Sequence, residues 1–329
     1  MVKQRRAWAA VILIGAVAVA ASRASADDPV FDTQVYKTVG NRDLNVRIQK
    51  PADARPGDTR PAIVLFHGGG WVGGMPRQFD EQSKYLITRG IVCIQPAYRL
   101  LSKDDAKQPP DICIHDAKSA MRWVRSHAKD LGIDPNRVAA GGGSAGGHLA
   151  AFVGLADGID DPQDDKTVSA KANALVLFNP VLDNGPERGW GTARVGERFK
   201  DLSPAHNISP DDPPTIIFIG RDDRLIPTAT IERFAANMKK AGVRCDLHVY
   251  DGEGHGFFNS NPSRTITLIE TDRFLTSLGY LTGEPTIEFP PAAEPSTDVP
   301  TKRKKAAGWQ GRCTRLKFRI GVYGPRTPE

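Results

Sequence analysis

Six short apolar runs alternate with helical stretches along most of this chain, and that alternation restricts its fold more than any other feature. Residues 62–66, 91–94, 138–140, 174–178, 215–219 and 247–250 are nearly free of polar side chains, as strands covered on both faces must be. Between them, residues 79–89, 111–128, 146–156 and 228–241 carry helical spacing, and 266–278 closes the series. Gly90 and Gly242 mark helix ends, and Ile112, Met121 and Val124 give the second helix its apolar face. Residues 35–50 alternate apolar and polar about Gly40-Asn41, the pattern of an entry hairpin. Strands separated by helices predict an α/β fold, a mostly parallel central sheet with helices on both faces. Residues 27–283 suit one such domain. The stretch 183–205, rich in Gly, Arg and Pro and without a period, reads as a small lid over the carboxyl edge of the sheet.

The two ends have another character. Lys3, Arg5 and Arg6 precede an uncharged Ala-rich run over 7–21, and Ala24-Ser25-Ala26 closes it. A basic start, a short apolar run and an A-x-A site predict an export signal over 1–26, placing the protein in the periplasm or medium. The run is shorter than the ~20 residues of a spanning helix, so no stable membrane span is expected after cleavage. Residues 284–300 are rich in Pro, Glu and Thr, and Lys302-Arg303-Lys304-Lys305 follows; 284–329 reads as a disordered tail.

The net charge of +6 belongs to these ends. Residues 1–26 hold four basic and no acidic side chains, and 298–329 hold nine basic against two acidic, which leaves the body mildly acidic. The basic balance is therefore no argument for a nucleic-acid partner. Cys93, Cys113, Cys245 and Cys313 form no C-x-x-C pair; Cys93 and Cys245 fall in strand-like runs and read as small buried hydrophobes. No H-E-x-x-H or Cys/His cluster with zinc spacing occurs, so no metal is expected.

Three stretches carry chemistry. Gly142-Gly143-Ser144-Ala145-Gly146 fits G-x-S-x-G, and it lies between an apolar strand and a helix. A nucleophile on so sharp a turn holds a strained backbone, and the residues two before and two after it pack too closely for side chains. The turn puts the Ser144 hydroxyl at a helix N-terminus, and the Ala145 N–H becomes a donor to developing negative charge. The same glycines also fit the dinucleotide fingerprint, but that reading needs an acidic residue at the end of a following strand. Residues 157–165, DGIDDPQDD, offer acids without a strand.

His67-Gly68-Gly69-Gly70-Trp71 directly follows strand 62–66, and three glycines bring backbone N–H groups close to a ligand. Of seven histidines, His255 in DGEGHGFF lies in a glycine-flanked loop after the last strand, free to swing over Ser144. His206, in a loop, is second; His248, inside a strand pattern, reads as a core residue; His115, His127, His148 and His67 have local explanations. Asp222 and Asp223 follow strand 215–219, and either can orient the histidine. All three groups then lie at carboxyl ends of strands, in the order Ser, Asp, His.

Together these stretches resemble the esterase/lipase branch of the α/β-hydrolase superfamily. HGGGW and GGSAGGHLA are similar to the bacterial feruloyl- and acetyl-esterase-like group, near the hormone-sensitive-lipase-like esterases. The resemblance covers roughly residues 35 to 280. It implies the α/β-hydrolase fold and a serine carboxylesterase acting on a small-molecule or carbohydrate ester, without a cofactor. The family's acid lies three residues after a strand-end glycine and four before a proline, which selects Asp223 from Gly220 and Pro227. The implied triad is Ser144, Asp223 and His255, with Gly69, Gly70 and Ala145 N–H groups around the oxyanion. Tyr98-Arg99 and Ser203-Pro204 match structural positions. One departure is Gly143, where hormone-sensitive-lipase relatives usually carry Asp. A prolyl-oligopeptidase-like peptidase and a non-catalytic binding module on the same fold are the alternatives. The first expects a propeller-sized domain ahead of the core, and the second a lost triad member.

Overall fold

The computed structural model describes residues 31–105 and 107–288; the expected export signal and most of the expected tail lie outside them. The strands are β1 (Asp32–Val39), β2 (Arg42–Gln49), β3 (Arg60–Phe66), β4 (Val92–Pro96), β5 (Ile133–Gly143), β6 (Ala174–Phe178), β7 (Thr215–Gly220) and β8 (Cys245–Tyr250). The helices are α1 (Asp80–Thr88), α2 (Asp111–Ser126), the turn α3 (Ala128–Leu131), α4 (Ala145–Leu155), the turns α5 (Thr192–Val195) and α6 (Phe199–Leu202), α7 (Thr228–Lys240) and α8 (Ser263–Ser277).

One eight-stranded sheet runs β1-β2-β4-β3-β5-β6-β7-β8. The entry hairpin pairs antiparallel, β2 pairs antiparallel with β4, and every pair from β4 to β8 is parallel. The mostly parallel sheet read from the apolar runs is what forms. From β3 the chain steps to β4 on one side, then returns past β3 to β5 on the other. Loops leaving the carboxyl ends of β3 and β5 therefore diverge and open a crevice between them. Phe66 lies opposite Gly142 in that pair, so the loop after β3 and the turn after β5 start side by side.

Alternation along the strands divides the core between the two faces. On β3, Ala62, Val64 and Phe66 face a cluster with Cys113, Ile114, Leu149, Phe152, Ile231 and Phe234 from α2, α4 and α7. Ile63 and Leu65 face the other, with Leu86, Leu268, Phe274 and Leu275 from α1 and α8. The chain still docks beyond Gly283: Thr286 N–H donates to the Tyr85 hydroxyl at 3.1 Å, and Ile287 packs on the second cluster. The boundary drawn after Gly283 from composition therefore falls too early.

The acids of 157–165 are used structurally. Asp161 pairs with Lys37 at 2.6 Å, and Asp160 and Asp164 grip Arg122 at 2.6 and 2.7 Å. Beside them the fully buried Asp116 receives Arg99 Nε at 2.8 Å and Lys37 Nζ at 2.9 Å. Paired in this way, buried carboxylates offset their desolvation. These acids lie in the connection between α4 and β6, at no strand end, so the dinucleotide reading loses its ribose anchor. Cys93, Cys113 and Cys245 are free thiols, and burial pushes those of Cys93 and Cys245 up to about 12. His248 is half-buried on the edge strand β8 against the Phe218 ring, rather than sealed in the core.

Candidate active site

Ser144 immediately precedes α4, with φ +55 and ψ −118, a backbone that side-chain-bearing residues rarely adopt. The turn is locked by close packing. A Cβ on Gly146 would stand 2.0 Å from Phe66 O, and one on Gly142 would stand 2.4 Å from Gly146 O. The residues two before and two after the serine thus touch through backbone alone, as the motif requires. Ser144 N–H donates to Phe178 O at 2.9 Å, fastening the turn to β6.

The His255 loop leaves β8 and returns over this turn. His255 Nε2 lies 3.0 Å from Ser144 Oγ, and Nδ1 lies 2.8 Å from Asp223 Oδ2. Asp223 Oδ1 accepts the Leu225 and Ile226 N–H groups at 2.8 and 2.9 Å, so three donors converge on a carboxylate with no exposed side-chain surface. Asp222 is exposed and contributes only its backbone N–H, to Glu253 O at 3.0 Å. Of the two aspartates, the structure brings Asp223 to the histidine.

The remaining histidines lie elsewhere. His206, just past the lid segment, has Nε2 3.7 Å from Asp183 Oδ1. His148 is wholly buried, donates from Nε2 to Leu202 O at 2.7 Å, and is pushed down to about 4 by burial. His127 bonds Trp123 O, and burial lowers the His67 ring as well.

On the opposite side of Ser144 runs the glycine loop. Gly69 and Gly70 have φ +119 and +63, and neither N–H finds an acceptor among the described residues. The Ala145 N–H, first in its helix, has no intrahelical acceptor. The Gly68 N–H is already engaged by Gln78 Oε1 at 2.6 Å, which leaves the second and third glycines as donors. The 183–205 segment covers this loop: the Trp190 ring lies 5.2 Å from that of Trp71 and within 3.3 Å of where a Gly70 Cβ would stand. The segment is pinned by Asn184 N–H to Ser203 Oγ at 2.8 Å, which explains Ser203-Pro204 as structural.

Sequence reasoning missed three neighbours of the site. Asn179, wholly buried at the end of β6, accepts the Gly256 N–H on Oδ1 at 3.1 Å and so holds the histidine loop. Gln78 and Trp190 are the others. A polar residue between a strand end and Pro180 was the one available signal for Asn179. Among the described residues no cluster of His, Cys, Asp and Glu is arranged to hold a metal ion.

Comparison with known proteins finds similarity to esterases. The BD-FAE family model matches residues 47–187, and that of the prolyl oligopeptidase family matches 176–278. Thermogutta terrifontis esterase 2, in its apo form, is 45% identical with a TM-score of 0.74, over 78% of this chain and 98% of that one. That enzyme has also been solved with propionate or butyrate bound and phosphorylated by paraoxon. Esterase LipQ of Mycobacterium tuberculosis is 29% identical over 62% of this chain and 52% of its own length. An acetylxylan esterase of Xylanibacter ruminicola is 30% identical over 60% of this chain and 41% of its own. The chain spans about half the length of the curated relatives it matches.

Proposed function

Because the chain belongs to the esterase branch of the α/β-hydrolase superfamily, we propose that it hydrolyses short-chain carboxylic esters through an acyl-enzyme on Ser144. The observation that carries this reading is the unbroken chain of hydrogen bonds from Ser144 Oγ through His255 to Asp223. His255 Nε2 takes the hydroxyl proton as Oγ attacks the ester carbonyl, and Asp223 stabilises the imidazolium and fixes its tautomer. The oxygen that becomes negative lies against the Gly69, Gly70 and Ala145 N–H groups. The proton then passes to the departing alcohol, and water repeats the sequence to free the acid.

Short acyl groups are favoured because Trp190 walls the glycine loop, and because the esterase 2 structures hold propionate and butyrate. Acetylated or feruloylated carbohydrate is the natural target we favour, from the sequence motifs and the acetylxylan esterase relative. Residues 1–26 make the protein an exported one on this reading. The prolyl oligopeptidase match supports a second reading, as a peptidase, but it covers the acid and base loops without Ser144 or the glycine loop.

The deciding experiment compares p-nitrophenyl acetate, butyrate and octanoate with a prolyl-naphthylamide, for wild type and Ser144→Ala. We expect turnover of the two short esters, one fluorophosphonate bound per chain, and loss of both in the variant, with rates down about 10⁴-fold. Turnover of the amide alone would favour the peptidase. Substantial ester hydrolysis by a folded Ser144→Ala would remove Ser144 from the role.

A further inference from the structure

The peptide unit joining His67 to Gly68 lies just ahead of the Gly69 and Gly70 N–H groups, and both its polar atoms are held. Its oxygen accepts from the Tyr98 hydroxyl at 2.8 Å, and the Tyr98 ring is buried and stacked on His67. Its N–H donates to Gln78 Oε1 at 2.6 Å. Gln78 lies on a 3-10 turn, Pro76–Phe79, that leads into α1. A Cβ on Gly68 would stand 3.5 Å from both Gln78 Oε1 and Ser144 Cβ, so this contact is made beside the nucleophile.

The other half of the Gln78 amide reaches the base. Its nitrogen donates to Asn259 Oδ1 at 3.2 Å, and Asn259 Nδ2 donates to Gly256 O at 2.8 Å, one residue past His255. The Phe79 ring of the same turn stacks on Phe258 at 5.7 Å, and Gln82 Nε2, from the α1 helix that follows, donates to Phe258 O at 3.3 Å. One side chain therefore links the loop that bears the oxyanion donors to the loop that bears the general base.

The link matters because three successive glycines have little conformational preference of their own. Donors to a developing oxyanion act only if they are aimed before the charge forms, and displacement by about 1 Å costs up to 10²-fold in rate. We propose that Gln78 is a positioning residue of this site: by holding the Gly68 N–H it aims the Gly69 and Gly70 donors, and through Asn259 it keeps them in register with His255. This rests on the esterase reading above.

The test uses the full chain with Gln78→Leu, Gln78→Met and Asn259→Ala, the last at an exposed position. Each is assayed for kcat and KM on p-nitrophenyl butyrate, for melting temperature, and for inhibition by an alkyl trifluoromethyl ketone. Ser144 Oγ adds to the ketone carbon, the hydroxyl proton passes to His255, and the carbonyl oxygen becomes an alkoxide in the oxyanion site. Either Gln78 variant should lose about 10- to 100-fold in kcat with KM within about threefold, and ketone affinity should fall by the same factor. Asn259→Ala should lose about two- to fivefold with the same split, and add nothing in the Gln78→Leu background. A kcat within twofold of wild type in the Gln78 variants, or a kcat loss with ketone affinity unchanged, overturns the proposal. A wild type that hydrolyses no ester and binds no fluorophosphonate removes the esterase reading itself, and this one with it.

Discussion

Replacing Asp223 by Asn tests the triad at its most specific point, because the structure dictates which way the new amide must face. Asp223 Oδ1 receives two backbone N–H groups, from Leu225 at 2.8 Å and Ile226 at 2.9 Å, while Oδ2 receives His255 Nδ1 at 2.8 Å. Asparagine has one oxygen to offer. Turned toward His255, it would set its NH2 against two N–H donors, of which the Ile226 one is buried, and leaving a buried donor unsatisfied costs about 1–3 kcal/mol. Turned toward Leu225 and Ile226, it satisfies both and presents NH2 to Nδ1. The second arrangement is favoured by at least about 1–3 kcal/mol on that count, from the buried Ile226 donor alone. His255 must then accept at Nδ1 and carry its proton on Nε2, where it cannot receive one from Ser144. We therefore expect kcat to fall by about 10²–10⁴-fold, with a melting temperature close to wild type. Asp222→Asn, whose side chain is exposed, should stay within about twofold, as surface substitutions do. Initial rates on p-nitrophenyl butyrate, beside a thermal melt, decide the matter. An Asp223→Asn enzyme above about a tenth of wild-type activity, or an Asp222→Asn enzyme with the larger loss, would refute the reasoning.

Two further expectations follow from the packing. Trp190→Ala removes the ring beside Gly70 and should raise the octanoate-to-butyrate ratio of kcat/KM by about tenfold; an unchanged ratio would show that Trp190 does not bound the acyl group. His148 is neutral in the fold, at about 4 against an ordinary 6.5, so the unfolded chain binds the extra proton between those values and stability falls as pH drops from 6.5 toward 4. The shift corresponds to about 3 kcal/mol, with His67 and His248 lowered in the same direction, and His148→Gln should flatten the profile of melting temperature against pH; an unaltered profile would remove His148 as its source.

The parts of the molecule legible in its sequence are those whose chemistry is local. Buried parallel strands must be apolar on both faces, so β3 to β7 announced themselves as apolar runs, although the order in which they lie in the sheet is set by contacts far apart in the chain. The reacting groups sit in glycine-flanked turns whose backbone geometry only certain residues tolerate. Gln78, Asn179 and Trp190 carry no such mark, because their partners lie far along the chain: Gln78 meets Asn259 across 181 residues and Asn179 meets Gly256 across 77. The ion cluster on α2 was hidden for the same reason, since DGIDDPQDD reads as a solvated acidic loop until Lys37 and Arg122 are seen against it. Composition also misled at Glu284, where a Pro- and Glu-rich stretch begins although Thr286 and Ile287 still dock.

Gly143 shows how a local departure and a distant residue explain each other. Beside the nucleophile, where the resemblance to hormone-sensitive-lipase-like esterases implies an aspartate, a glycine looks like a loss. In the fold, a Cβ at this position would stand 2.5 Å from the Phe258 ring, and that ring packs against both Phe79 and Phe178, which also touch each other, with its own exposure at 1%. A packed aromatic core of this kind yields little to an inserted carbon, so the side chain at 143 and the side chain at 258 compete for one volume. Phe258 belongs to the same loop as His255, three residues on, and anchors that loop beneath the nucleophile's turn. The glycine before Ser144 and the second phenylalanine of HGFF are therefore one structural choice, in which an apolar anchor under the histidine loop occupies the space a side chain at 143 would need.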